Sequence, residues 1–292
     1  MSEGISRRAC VAMLAGAPLL SGAVKKIAVA GHPWVYAARR PKNDIYEILD
    51  QIIAEMIAAG LDAIELMHTA LAPDGSVERI RELSKRNRLP VIGTSFGASM
   101  WDRSQHEAIL GQARTVIERV SAVGGRTLGT SVGDARHRKT EAEFDAQADL
   151  LRKIMAIGND HGVVLNLHNH IYEVANDEYD LKGTLARIPD VKLGPDINWL
   201  IRAGVDPVDF ITRYGNRIVY AHLRDQKADG KWVEAMGEGS TDYGAIGAAF
   251  RKVGFLGDVA IELAHERDFQ PTRSYGESFA ISRKYVRRVM GW

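Results

Sequence analysis

The sequence contains very little cysteine: Cys10 is the only one in 292 residues. It lies in an N-terminal segment that reads as an export signal, so disulfide bonds and a cysteine nucleophile are excluded from the mature chain. An excess charge of one sign is also missing, because 38 Lys and Arg balance 37 Asp and Glu. Without a basic field to hold a phosphate backbone, nucleic acid is not expected as a partner. No apolar run approaches the roughly 20 residues that span a bilayer, so no membrane association is expected after signal removal.

The N-terminus has the pattern of a signal peptide. Arg7 and Arg8 precede a short apolar segment, which ends in the small residues Ser21 to Ala23. This order is typical of a cleaved export signal, and the adjacent arginines resemble a twin-arginine signal. We therefore predict a signal peptide over residues 1–23 and a periplasmic or otherwise exported mature chain over 24–292. The alternative is an amphipathic N-terminal tail on a cytoplasmic protein.

Strand and helix patterns alternate along the rest of the chain. Short apolar runs predict strands over 26–31, 62–67, 90–94, 126–130, 163–168, 191–196, 218–223 and 259–263. Apolar residues at helical spacing predict helices over 44–59, 77–87, 105–123, 141–160, 181–187, 207–214, 243–253 and 275–289. Such alternation implies parallel strands joined by right-handed crossovers. The pattern predicts a single-domain α/β protein, a (β/α)8 TIM barrel. A doubly wound sheet is disfavoured because the turn after the first strand, GHPWVYAARRP, has one glycine.

Polar side chains follow the last four predicted strands. Strands five to eight end in His168, Asp196, His222 and Glu262. Neighbouring parallel strands lie about 4.8 Å apart, so these side chains can converge at the carboxyl end of a barrel, where active sites lie. A single strand-end His or Asp is usually a solvated loop residue, but four at matching positions indicate a site. Two imidazoles and two carboxylates predict one divalent metal ion, Mn, Co, Fe or Zn, or less suitably Mg.

The stretch VVLNLHNHIYE adds a further histidine to this predicted site. Side chains alternate between the two faces of a strand, so Asn166, His168 and His170 share one face. His170 is therefore a candidate to meet the substrate. Glu65, on the second strand, contacts the substrate or a metal-bound water, or else orients a metal ligand.

Four segments resemble the xylose isomerase-like TIM barrels, often called sugar phosphate isomerase/epimerase proteins. They are LHNH, GPDINWLIRAGVDPVDFITRYGNRIVYAHLRDQ, GEGSTDYGAI and VAIEL, and the resemblance covers essentially the whole mature chain. It implies a metal site in which Asp196, His222 and Glu262 match the ligands of the family directly. Where many members have Glu in a Glu-Asn-His run, this chain has His168, and Arg224 stands where the family pattern has Lys.

The resemblance implies a metal-dependent isomerase or epimerase. Such an enzyme removes a proton next to the carbonyl of a keto-sugar or related polyol, here with Glu262 as the base, through a metal-stabilised enediolate. His168 replaces the second carboxylate of the two-base epimerases. Dehydration of the inosose dehydratase type, or β-elimination of a keto-glycoside, is therefore the alternative, with His170 protonating the leaving hydroxyl. A non-catalytic sugar-binding barrel is a second alternative.

Several other side chains are candidates for substrate binding. His32 and Trp34 follow the first strand, and the rings of Trp34 and Trp199 either stack on a sugar or pack in the core. Arg224 grips a substrate oxygen or forms a local ion pair with Asp225. The expected partner is a small sugar or polyol, and the sequence is compatible with a homo-oligomer.

Overall fold

Strands and helices alternate throughout the part of the chain that this computed structural model describes, residues 26–292. The predicted signal peptide lies outside the described residues. The elements are β1 (Val29–His32), α1 (Trp34–Ala37), α2 (Leu49–Ala58), β2 (Ala63–Met67), α3 (Ser76–Asn87), β3 (Val91–Gly97), α4 (His106–Ala122), β4 (Thr127–Ser131), α5 (Glu141–Asp160), β5 (Val164–Leu167), α6 (Ile171–Arg187), β6 (Lys192–Leu193), α7 (Ile197–Arg202), α8 (Pro207–Tyr214), β7 (Tyr220–Leu223), α9 (Tyr243–Lys252), β8 (Asp258–Glu262) and α10 (Tyr275–Met290). None of the described helices is long and apolar enough to cross a membrane.

The eight strands form one parallel sheet in the order β6-β5-β4-β3-β2-β1-β8-β7. The two outer strands, β6 and β7, approach each other through single parallel bridges, Leu193 to Ile218 and Asp196 to His222. The sheet is thus a nearly closed barrel with helices around it, and the predicted single-domain TIM barrel is confirmed.

The interior of the barrel is filled by small residues and a few polar side chains. Ala30, Ala63 and Ala260 on adjacent strands are fully buried and pack around Tyr220. Their small size leaves room for the carboxylate of Glu65, which is 1% exposed and accepts a hydrogen bond from the Tyr220 hydroxyl at 2.9 Å. A charged group therefore lies directly below the carboxyl-end mouth, where it needs polar partners.

Two glycines leave space for side chains near the mouth. A Cβ atom on Gly194 would lie 1.9 Å from the Asn166 side-chain oxygen, so no larger residue fits there without a shift of that side chain. A Cβ atom on Gly129 would lie 3.8 Å from Glu65 Oε1 and 3.9 Å from the Cβ of His168. Gly194 therefore makes room for the Asn166 side chain, whereas a methyl group on Gly129 would only touch Glu65 and His168 at ordinary contact distance.

Helix α6 begins ten residues earlier than the sequence pattern predicts. The predicted helix started at Leu181, whereas α6 begins at Ile171 after the N-cap His170. Glu173 closes this end, because its carboxylate accepts a 2.6 Å hydrogen bond from the His170 backbone N–H. Helical geometry is interrupted from Ala175 to Glu178, which explains why a helical period is visible only in the second half.

Strands five and six are shorter than predicted. Strand β5 ends at Leu167, so the two histidines of LHNH lie in the turn before α6 and not on the strand itself. Strand β6 has only two residues, and the unpredicted helix α7 starts at Ile197. Asp196 initiates α7 as its N-cap, a role compatible with its position at the end of a strand.

Candidate active site

Three of the four predicted metal ligands converge at the carboxyl end of the barrel. His168, Asp196 and His222 present one side-chain N or O atom each, and these atoms all lie within 4.8 Å of one another. The rings of His168 and His222 have centroids 4.8 Å apart. Asp196 and His222 are buried. The turn after β5, the end of β6 and strand β7 therefore deliver two imidazoles and a carboxylate to one point.

The fourth predicted ligand, Glu262, lies beside this group at the end of β8. Its Oε2 is 2.8 Å from His222 Nδ1 and 3.7 Å from His32 Nδ1. His222 Nδ1 is buried, and Glu262 Oε2 is its polar partner at this short distance. This imidazole nitrogen and the neighbouring carboxylate oxygen are adjacent N and O donors of the kind that a divalent cation uses.

The other ring nitrogen of His222 is held from below by Glu65. Nε2 lies 2.6 Å from Glu65 Oε2. Burial alone would lower the pKa of His222, but the charges of Glu65 and Glu262 outweigh burial and raise this pKa well above its ordinary value. Carboxylates in this position commonly fix the orientation of a metal-binding imidazole. Because Glu65 is buried beneath His222, its position favours the orienting role over direct contact with substrate.

Asp196 is fixed by its backbone and by one of its two oxygens. Oδ1 accepts hydrogen bonds from the backbone N–H groups of Asn198 and Trp199, at 2.8 and 3.0 Å. Its own N–H donates to the side-chain oxygen of Asn169 at 3.1 Å. Only Oδ2 is left to face the site. Asn169, at the centre of His-Asn-His, supports the backbone of Asp196, a contact that the sequence analysis did not identify.

Arg224 pairs with the site carboxylates and not with Asp225, the partner considered from the sequence. Its Nη2 hydrogen-bonds Glu262 Oε1 and lies 3.4 Å from Asp196 Oδ2. Its Nε donates to the backbone carbonyl of Glu262 at 3.0 Å. Burial would raise the pKa of Glu262, but Arg224, His32 and His222 outweigh it and hold this pKa well below its ordinary value.

His170 faces the cavity from the N-terminus of α6. Its side chain is 39% exposed, and its Nδ1 lies 3.6 Å from Glu173 Oε2. Burial would lower the pKa of His170, but Glu173 outweighs burial and raises it. The ring stacks on Tyr172 at 5.4 Å and lies 5.9 Å from Trp199, both measured between centroids. Glu173 therefore acts on His170 as a positioning partner, which the sequence analysis did not identify.

A cavity of about 780 Å³ opens above these groups. This volume lies within the range of small-molecule sites. Its lining includes His32, Trp34, His68, Phe96, His168, His170, Trp199, His222, Arg224, Trp232, Glu262, His265 and Tyr275. The predicted substrate-binding residues therefore all border one cavity.

Trp232 and Trp199 together form an aromatic wall of the cavity. The sequence analysis did not identify Trp232. Its ring lies 5.7 Å from that of Trp199, nearly perpendicular, and its Nε1 donates to Asn198 Oδ1 at 2.7 Å. It belongs to the irregular loop after β7, where no periodicity indicates which residues are buried. Fixed aromatic faces beside polar groups suit the apolar face of a sugar ring.

Asp225 organises the loop between β7 and α9. Its carboxylate accepts hydrogen bonds from the backbone N–H groups of Gln226, Gly237, Gly239 and Thr241, at 2.8 to 3.2 Å. The residue is 2% exposed. A buried carboxylate with four donors is well satisfied, so the Asp of HLRD is a structural residue that holds the GEGSTD segment against the barrel.

Asp225→Asn is expected to lower the free energy of unfolding by roughly 2–3 kcal/mol, because an amide loses the charge and presents N–H groups to N–H donors. Urea unfolding measures this change. Asp229→Asn is the matched control, since Asp229 lies on the same loop, is exposed and accepts one backbone hydrogen bond, from Lys231. A loss below about 0.5 kcal/mol, the usual scale of surface substitutions, would contradict the anchoring role.

Comparison with known proteins identifies related sequences over most of the chain. Residues 53–285 match the sequence profile of the xylose isomerase-like TIM barrels. The chain is also similar to an inosose dehydratase from Geobacillus kaustophilus (strain HTA426). The two are 26% identical over 220 residues, which cover 70% of this chain and 70% of that protein.

Solved structures show the same fold. A structure of L-ribulose 3-epimerase superposes with a TM-score of 0.73 at 18% identity, covering 91% of this chain and 95% of that one. A D-psicose 3-epimerase from Clostridium cellulolyticum H10, solved with D-tagatose, gives a TM-score of 0.72 at 13% identity, covering 90% and 99%. At these identities the likeness shows the fold alone.

Proposed function

Because this chain belongs to the xylose isomerase-like TIM barrel family, we propose that it is a divalent-metal-dependent isomerase or epimerase of a keto-sugar or related polyol. The observation that carries the proposal is the convergence of His168, Asp196 and His222 beside Glu262. Both histidines and Glu262 line one cavity, and Asp196 is buried behind them. Two further points support the proposal: members of this family include sugar epimerases, and barrel enzymes have their active sites at the carboxyl ends of the strands.

The donor set fits a divalent ion. His168, Asp196, His222 and Glu262 would hold it, since imidazole nitrogens and carboxylate oxygens suit Mn, Co, Fe or Zn, and Mg less well. The buried Nδ1 of His222 and the Oε2 of Glu262, 2.8 Å apart, are adjacent donors that suit such an ion. When bound, the ion would polarise a carbonyl and stabilise the negative charge that develops upon proton removal.

The side chains around the floor supply the remaining chemistry. Glu262 borders the cavity, and its carboxylate is the base that takes the proton from the carbon next to the carbonyl. His170 also borders the cavity, beside Trp199, where it can donate a proton to a substrate oxygen. His32, Trp34 and Trp199 would hold the substrate by hydrogen bonds and ring stacking.

A dehydratase or lyase is the second candidate, and two observations favour it. The inosose dehydratase similarity extends over 70% of the chain. In addition, His168 replaces a carboxylate of the two-base epimerases, so Glu262 has no matching second base at that position. Glu262 would then remove the proton, and His170, held by Glu173, would protonate the leaving hydroxyl.

We also propose that residues 1–23 direct export, because Arg7 and Arg8 precede an apolar segment and small residues. An exported enzyme would meet free or glycosidic sugars more often than sugar phosphates. N-terminal sequencing of the protein from a periplasmic fraction tests this: a mature chain beginning near Val24 is expected, and an intact Met1 in that fraction would contradict cleavage.

Incubation with candidate keto-sugars and cyclitols in D₂O tests the proposed function. The purified mature chain is first analysed for bound metal, then assayed by NMR for deuterium next to the carbonyl and for products. Exchange with an isomer or epimer as product supports the first candidate, and loss of water or an aglycone supports the second. Failure to exchange with any substrate, in protein that contains metal, would contradict both and favour a binding protein.

A further inference from the structure

We propose that Arg224 competes with the divalent ion for the carboxylate oxygens of Asp196 and Glu262, and thereby lowers the metal affinity of the site. This inference rests on the proposed function for the existence of a metal site. It assigns to Arg224 a role different from gripping a substrate oxygen.

The guanidinium occupies the position where the two carboxylates face each other. Its Nη2 hydrogen-bonds Glu262 Oε1 and lies 3.4 Å from Asp196 Oδ2. Arg224 is 2% exposed and Asp196 is fully buried. The attraction is therefore little weakened by solvent, and one cation already neutralises part of the charge that a metal ion would use.

Asp196 cannot avoid the competition by using its other oxygen. Oδ1 already accepts two backbone N–H groups at the N-terminus of α7. Oδ2 is therefore the oxygen available to an ion, and it is the one that Arg224 approaches. A divalent ion bound there would lie close to the guanidinium, and two cations at such a distance repel each other strongly in a buried site.

Arg224 has a second environment within reach. Its guanidinium carbon lies 5.5 Å from the ring centroid of Trp199 and 5.2 Å from that of Trp232. Arginine stacks well on aromatic faces, and the side chain borders the cavity. On ion binding the guanidinium can therefore move from the carboxylates towards the aromatic wall.

A need for charge balance explains why the chain keeps a cation at this position. Two buried carboxylates without a counterion are strongly destabilising. Arg224 and the imidazole of His222 supply positive charge to them in the metal-free protein, so the site is formed before an ion arrives. The cost is a weaker hold on the ion, which exchanges more readily than at the same ligands without Arg224.

The affinity of the purified protein for Mn²⁺, measured by isothermal titration calorimetry without substrate, tests the competition. Arg224→Met is expected to bind Mn²⁺ at least tenfold more tightly than the wild type. Arg202→Met is the matched control. Arg202 lies over the same two rings, at 5.4 and 3.9 Å, but pairs with Glu266 and not with Asp196 or Glu262. Its removal is expected to leave the affinity within twofold.

Unchanged or weaker Mn²⁺ binding in Arg224→Met would overturn the inference, since a merely structural arginine would hold the ligands in place.

Arg224→Lys serves if the methionine variant does not fold. A lysine cannot reach the Glu262 carbonyl and both carboxylates together, so an intermediate gain in affinity is expected. If neither the wild type nor the variants bind Mn²⁺, Co²⁺ or Zn²⁺, the metal site itself fails. If the wild type binds an ion and the variants bind no more tightly, only the competition fails.

Discussion

Glu262→Gln is expected to slow deuterium exchange next to the substrate carbonyl by about 10²–10⁴-fold, the usual contribution of a general base. The amide cannot accept the proton, although it retains the shape of the side chain. Glu262 borders the cavity, with Oε2 2.8 Å from His222 Nδ1. NMR in D₂O measures the exchange directly, so the result does not depend on whether the product is an isomer, an epimer or a dehydrated sugar.

Metal content must be measured beside the exchange rate, because Glu262 is also a proposed ligand. Glu266→Gln is the matched control. Glu266 follows on the same loop, borders the same cavity and pairs with Arg202 at 3.2 Å. Its substitution is expected to leave exchange within a few-fold of wild type. Exchange by Glu262→Gln within tenfold of the wild type would remove Glu262 as the base.

Glu65→Gln is expected to weaken Mn²⁺ binding by about 10–100-fold, the usual effect of losing a carboxylate that supports a metal-binding histidine. Glu65 Oε2 lies 2.6 Å from His222 Nε2. A glutamine oxygen can still accept that hydrogen bond, but it lacks the negative charge that makes the imidazole a stronger ligand. The affinity is measured by calorimetry on the folded variant, with thermal unfolding as the check on folding.

Tyr220→Phe is the control that keeps the charge of Glu65 but removes a hydrogen bond to it. The substitution removes the hydroxyl that donates to Glu65 at 2.9 Å and leaves the carboxylate in place. The Mn²⁺ affinity is expected to change by a few-fold at most. If Glu65→Gln instead raised the KM for a substrate and left Mn²⁺ affinity unchanged, Glu65 would contact substrate, which was the other possibility raised by the sequence.

The barrel could be predicted from the sequence because short apolar runs alternate with apolar residues at helical spacing along the chain. The predicted helices 141–160 and 207–214 coincide with α5 and α8, where regular spacing continues to both ends. The first half of α6 was missed because helical geometry breaks at Ala175–Glu178, so the two halves do not share one apolar stripe. Helix α7 was missed because six residues are too few to show a period.

The main groups of the candidate site could also be predicted, since strand ends meet at one edge of a barrel. His168, Asp196 and His222 do converge. The supporting contacts could not be predicted from one sequence. Asn169 acts through the backbone of Asp196, and Arg224 reaches the N-cap carboxylate of α7 and the carboxylate at the end of β8. Such long-range pairings depend on side-chain directions that no local pattern contains.

The short sixth strand links the candidate site to the closure of the barrel. Seven neighbouring strand pairs are joined by ladders, with a register shift at Ile64–Glu65 in the β2–β3 ladder. Among the described residues, β6 and β7 meet only through isolated bridges at Leu193–Ile218 and Asp196–His222. The second of these bridges joins two proposed ligands. An ion held by both side chains would therefore reinforce the barrel wall where its strand pairing is sparsest, so that filling the site would also stiffen the cylinder.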